Sequence, residues 1–159
     1  MFLNLFQKEK PFLTSDEIKA IEERIALNEK ITSAEIRIFI EKKCRFVDAL
    51  DRCKEVFENL KMEKTVLRNS VLLYIAHKDR QIGIYGDIAI NKAVGLNYWE
   101  KTIERLVEAF KNEKYEKGIL LCLNEIGNKL KKHFPIEEGD INELSNDIVF
   151  GKDKKKKKK

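Results

Sequence analysis

The chain has 159 residues, 43% hydrophobic and 37% charged, which fits one globular domain with a core of its own. The net charge of +5 points less to nucleic acid than it suggests. Lys154–Lys159 supply six of the 32 basic side chains, and the remaining 26 face 27 acidic ones, so no specific nucleic-acid partner is expected.

The three cysteines (Cys44, Cys53, Cys122) form no CxxC, and Cys53 and Cys122 fall on apolar helical positions. They read as reduced thiols in a cytoplasmic protein. His77 and His133 have no ligand-spaced partners, which argues against zinc. No leader pattern and no apolar run of about 20 residues is legible.

Thr14 and Glu17 make a capping box, with Leu13 and Ile18 as its hydrophobic staple. The helix that follows turns Ile18, Ile21 and Ile25 inward and ends near Asn28–Lys30. Ala34–Glu41 alternates as a first strand, with Ile36, Ile38 and Ile40 on the buried face and Glu35, Arg37, Phe39 and Glu41 on a wetter one. Glu35 and Arg37 on that face read as a solvated or cross-strand pair. Phe46–Leu60 has the spacing of an amphipathic helix.

Val71–Ala76 is an unbroken apolar run, the pattern of a strand buried on both faces. The charged turn His77–Arg80 returns the chain into a third, alternating strand over Arg80–Tyr85. A short helix over Asp87–Val94 is stopped by Gly95. Asn97 and Glu100 suggest a second capping box, opening a helix that turns Trp99, Ile103, Leu106, Val107 and Phe110 inward. A last helix runs from about Tyr115 to the basic residues before Pro135.

The expected fold is α/β, a small mixed β-sheet with a β-α-β-β core sandwiched between helices. Residues 1–12 form an arm, 13–135 the domain, and 136–159 an acidic then lysine-rich flexible tail.

The helical crossover makes the first two strands parallel, and the tight turn makes the third antiparallel. Polar residues then collect at two opposite ends of the sheet. One end gathers Thr32, Ser33, Arg68, Asn69, Gly86 and Asp87, with Asn91 nearby. The other gathers Lys42, Lys43, His77, Lys78, Asp79 and Arg80. Asp79 and Asp87 are roughly 26 Å apart along a continuous strand at ~3.3 Å per residue, so they cannot share an ion.

Four stretches, FLTSDEIKAIEERI, SAEIRIFI, RNSVLLYIAHKDRQIGIYGD and NYWEKTIERLVEAFKNEKYEKGILLCLNEIGNKL, resemble the TPM domain family of thylakoid acid phosphatase-like, photosystem-repair and receptor-accessory proteins. Asn69 matches the Asn of the family's Asn-Gly, Asp79-Arg80 its Asp-Arg turn, and Gly86 its glycine-rich exit from the hairpin. Ser70 replaces the family's usual Gly, and Asp87-Ile88-Ala89 replaces a longer glycine-rich loop. The chain resembles the short, soluble bacterial variants of the family.

The resemblance implies two functional readings. In the leading one the chain is a non-enzymatic accessory or binding module with a protein partner. In the alternative it is a weak metal-assisted acid phosphatase acting on phosphomonoesters. There Asp87, Asn69 and Arg68 would be catalytic, and Asp87 with Asn69 would hold Ca2+ or Mg2+.

For Asp87 the plainer role is to turn the chain and cap the short helix. The cluster His77, Asp79 and Arg80 is the second candidate, since ligands of open α/β sheets sit beyond the carboxyl ends of parallel strands; an ordinary charged turn is its plainer role. No CxxxxxR, DxDx[TV] or GxxxxGK[ST] motif occurs, which counts against efficient phosphoryl chemistry. Lys154–Lys159 offer contact with an acidic membrane or another polyanion, with Phe2, Leu3, Leu5 and Phe6 as a second contact.

Overall fold

The computed structural model describes residues 10–45 and 48–152. In chain order these form α1 (Ser15–Glu29), β1 (Glu35–Glu41), α2 (Ala49–Asn59), β2 (Ser70–Ala76), β3 (Gln81–Gly86), α3 (Ile88–Val94), a 3-10 turn (Leu96–Trp99), α4 (Glu100–Lys111), α5 (Tyr115–His133) and β4 (Val149–Phe150). The strands make one mixed sheet in the order β3-β2-β1-β4. β1 runs parallel to β2 and to β4, and β3 returns antiparallel to β2.

Two cores sandwich this sheet. On one face Ile36, Ile38 and Ile40 of β1 and Val71, Leu73 and Ile75 of β2 pack with Ile21 and Ile25 of α1, Leu106 and Phe110 of α4, and Ile119, Leu123 and Ile126 of α5. On the other, Phe39, Leu72, Tyr74 and Ala76 meet Cys53, Val56 and Phe57 of α2. Every residue of β2 is buried, as its unbroken apolar run requires. Each buried large side chain contributes about 1.5–3 kcal/mol of transfer free energy, so these two layers dominate the stability.

The capping box of α1 is complete: Glu17 N donates to Thr14 Oγ1 at 3.2 Å, and Thr14 N donates to Glu17 Oε1 at 2.9 Å. At the other end of α1 the Asn28 amide donates to the Leu123 carbonyl at 2.9 Å. That contact depends on Gly127 of α5, where a Cβ would lie 2.7 Å from Asn28 Oδ1.

Four features differ from the sequence expectation. α2 begins at Ala49 with Asp48 as its N-cap, donated to by Leu50 N at 2.9 Å, and Phe46 lies outside the described residues. Asn97 does not cap α4; it sits inside the 3-10 turn, and no side chain caps that helix. Glu35 and Arg37 are not a solvated pair. Glu35 is 4% exposed and accepts a hydrogen bond from the backbone amide of Glu143.

The largest difference concerns residues 136–152, expected to be flexible. Pro135 bridges to Thr32, the chain then crosses the open edge of β1, and Phe39↔Val149 and Ile40↔Phe150 pair as a fourth strand. An exposed β1 edge would leave unpaired backbone groups. Two residues of ladder, buried Ile148 and the Leu144 and Val149 side chains against Phe39's core suffice to cover it. Lys154–Lys159 lie outside the described residues.

Candidate functional site

The amino ends of β1 and β2 and the carboxyl end of β3 form the first polar end. Asp87 N donates to Ser70 O at 2.9 Å and Ala89 N to Arg68 O at 3.1 Å, which brings the residues before β2 against those after β3. Gly86 is the close-approach point, since a Cβ there would lie 2.5 Å from Ile90 Cγ2.

Asp87 is 4% exposed and caps α3, accepting from Ile88 N at 2.8 Å. Its carboxylate also takes both arms of the Arg68 fork, Nε to Oδ2 at 2.6 Å and Nη2 to Oδ1 at 2.8 Å. This bidentate geometry is the strong form of the carboxylate–guanidinium pair. Donation to the Asp87 carboxylate holds the Arg68 guanidinium above its usual range. Asn69, 2% exposed, turns its amide nitrogen to Ser33 Oγ at 3.4 Å. Thr32 donates instead to the Phe134 carbonyl, at 2.5 Å.

As arranged, these residues do not fit a calcium or magnesium ion. Such ions take six or more oxygen ligands, while here a guanidinium occupies the approach to the one carboxylate and adds its own positive charge. Among the described residues no group of three or more His, Cys, Asp and Glu side chains could hold a metal.

The second end lies beyond the carboxyl ends of β1 and β2. Lys78 N donates to Lys42 O at 2.9 Å, and Cys44 N donates to Asp79 Oδ2 at 2.7 Å, so the turn after β2 is laced to the chain leaving β1. Asp79 thus works as a turn carboxylate. Arg80 holds the turn's last position in left-handed backbone at φ 53°.

His77 stacks flat against Phe12, with ring centroids 4.3 Å apart, and Phe12 in turn meets Tyr115 and Phe110. Beside this stack opens a cleft of about 720 Å3 lined by Lys10, Phe12, Lys42, His77, Lys78 and Tyr115 among others. The sequence pointed to His77 and Lys42 but not to Lys10, Phe12 or Tyr115. Their approach depends on packing between segments a hundred residues apart, and no local pattern encodes it.

A third cluster was not foreseen. Glu29 and Glu35 line one small cavity with residues of the segment leading to β4, and the Asn146 amide, turned with its nitrogen toward Glu29, donates to both Glu29 carboxylate oxygens at 2.7 and 2.8 Å. Burial and the neighbouring Glu35 raise Glu29 to about 7. Burial raises Glu35 as well, against the amides of Glu143 and Leu144.

A four-stranded mixed sheet between helical layers, with helix α2 crossing between its parallel strands, defines the class of small α/β domain. The TPM domain model matches residues 7–129, and the chain belongs to that family. Among solved structures it is similar to the BA42 protein from the psychrophilic bacterium Bizionia argentinensis, at 41% identity and a TM-score of 0.82. That match covers 91% of this chain and 99% of BA42. The N-terminal domain of cg2496 from Corynebacterium glutamicum shares the fold at 15% identity and a TM-score of 0.53, over 81% of this chain and 84% of that one. No curated protein matches the chain.

Proposed function

We propose that the protein is a non-enzymatic TPM-domain module that acts in the cytoplasm by binding a protein partner. One observation carries this reading. Asp87, the carboxylate best placed for metal or phosphate chemistry, has both oxygens committed to Arg68 and to the first amide of α3. A nucleophile or metal ligand needs a lone pair directed at substrate; this one is directed into the fold. The hairpin then serves to hold two polar ends of a sheet in fixed relation, which is what a binding scaffold needs.

The test is phosphate release from a generic phosphomonoester by purified protein in millimolar Ca2+ or Mg2+, beside the Asp87→Asn variant. The reading expects both proteins to stay at the buffer background. Metal-dependent turnover by the native chain that disappears in Asp87→Asn, with the melting temperature retained, would establish the phosphatase in its place.

A further inference from the structure

We propose that residues 136–152 form a displaceable strap on the edge of β1, and that this edge takes an extended segment of a partner protein in the strap's place. The segment runs parallel to β1 and carries an acidic residue followed by a branched apolar one. The proposal rests on the accessory-module reading and deepens it by naming the surface and the partner's chemistry. The first observation is how little of the strap is strand. β4 pairs with Phe39 and Ile40 only, although β1 runs over Glu35–Glu41. Among the described residues no strand pairs with residues 35–38 on that side. Elsewhere the strap is held by separate contacts, among them Glu143 N on Glu35, Asn146 on Glu29 and Ile148 N on Glu22 at 3.3 Å.

The second is the imperfect fit beneath it. Glu35 Oε2 and Arg37 Nε are buried, and neither has a hydrogen-bond partner among the described residues. A buried polar atom left unpaired weakens whatever covers it. The strap also sets Asp147 near the Glu22 carboxyl as well as near Arg37, so like charges meet there.

The third is what the edge selects. Carrying the Phe39↔Val149 register back along β1 sets position 145 beside Glu35, 147 beside Arg37 and 148 beside Ile38. The strap has Asp147 near the Arg37 guanidinium, and it buries Ile148 in the core that holds Ile36, Ile38 and Ile40. Near Glu29 and Glu35 it has neutral residues, Ser145 and Asn146. An acid therefore suits the Arg37 position, and uncharged donors suit the positions before it. A partner strand of this pattern also adds main-chain rungs along residues 35–38, which the strap leaves open. Such rungs supply affinity in strand addition, and the alternate side chains supply specificity. A tethered strap competes as about a millimolar concentration of itself, so the extra rungs are what displaces it.

The experiment measures, by fluorescence anisotropy, binding of a labelled peptide copying residues 143–151, ELSNDIVFG, to the full chain. Two variants loosen the strap by different routes. Ile148→Ser removes its buried anchor. Gly151→Pro removes the amide that donates to Ile40 O at 2.8 Å and adds a Cβ that would lie 2.9 Å from Glu41 Cβ. A melting curve for each variant restricts the comparison to folded protein. Both loosened chains should bind the peptide at least about tenfold tighter than the native chain, whose strap competes. Arg37→Gln in the Gly151→Pro background, and a peptide carrying I148S, should each weaken that binding at least about fivefold. No binding by the folded Gly151→Pro chain would overturn the proposal, and so would undiminished binding of the I148S peptide. A native chain that dimerises in sedimentation, with the peptide dissociating the dimer, would overturn it in favour of a second copy's strap. Phosphate release is read separately, so failure of this edge is distinguishable from failure of the accessory-module reading.

Discussion

Arg68 occupies left-handed backbone, φ 51°, where a non-glycine residue is uncommon. Its guanidinium fork on Asp87 explains why an arginine is held there, and the fork also closes the carboxylate to other ligands. Loss of the cap alone makes Asp87→Ala cost about 1 kcal/mol, readable as a lower midpoint in urea denaturation. Gly86→Ala should cost more, about 1–3 kcal/mol, because the added methyl meets Ile90 within a packed turn. Burial raises the Cys53 thiol and pushes Cys122 up to about 12, so both stay protonated at neutral pH. Native protein treated with a thiol-specific disulfide reagent should therefore leave these two unmodified until it is unfolded.

The element whose behaviour depends most on pH is the segment that ends in β4. It is held by Glu143 N on Glu35, by Ile148 N on Glu22 at 3.3 Å and by Asn146 on Glu29. Glu29 shares a small cavity with Glu35 and feels its charge, with Glu143 and Asp147 close to the cluster. With its pKa raised to about 7, Glu29 stays protonated in the fold where the unfolded chain would ionise it. Its stabilising contribution is complete below about pH 4.5 and is lost as pH rises through 7. Linkage caps the effect at about 3 kcal/mol, and partial exposure brings it to the order of 1 kcal/mol. Thermal midpoints should fall between pH 5 and 7.5 in the native chain, and Glu29→Gln should flatten that slope.

This same segment shows where sequence stops informing. β1, β2 and β3 were legible because their apolar periodicity is local, whereas the bond of Asp87 to Arg68 and of Asn69 to Ser33 was not. β4 has two residues inside an acidic stretch and owes its form to an open edge of β1 that no local pattern records. Asn97 failed as a cap for a related reason: the turn after Gly95 closes as a 3-10 helix and carries Trp99 into the core.

At the scale of the whole molecule, the parallel strands give the sheet two chemically different ends. At one, Arg68 is bound to Asp87, Asn69 to Ser33, and the backbone of Asp87 and Ala89 to Ser70 and Arg68. At the other, exposed basic residues, an aromatic stack and a cleft share the surface with Pro11, Phe12, Phe150 and Gly151. The sequence reading placed polar residues at both ends and favoured the first as the site. The hydrogen-bond commitment of Asp87 and Arg68 at the first end is a tertiary feature that no local pattern records.

The account rests on Asp87 being a clamp and not a ligand. The most direct measurement is a double-mutant cycle between Arg68→Ala and Asp87→Ala, run by urea denaturation without and with 10 mM Ca2+. The cycle cancels the backbone cost of position 68, which both Arg68 variants share. A favourable Arg68–Asp87 coupling that calcium leaves unchanged is the predicted result. A coupling that calcium erases, with Arg68→Ala stabilised by the ion and Asp87→Ala indifferent to it, would show a metal site and contradict the account.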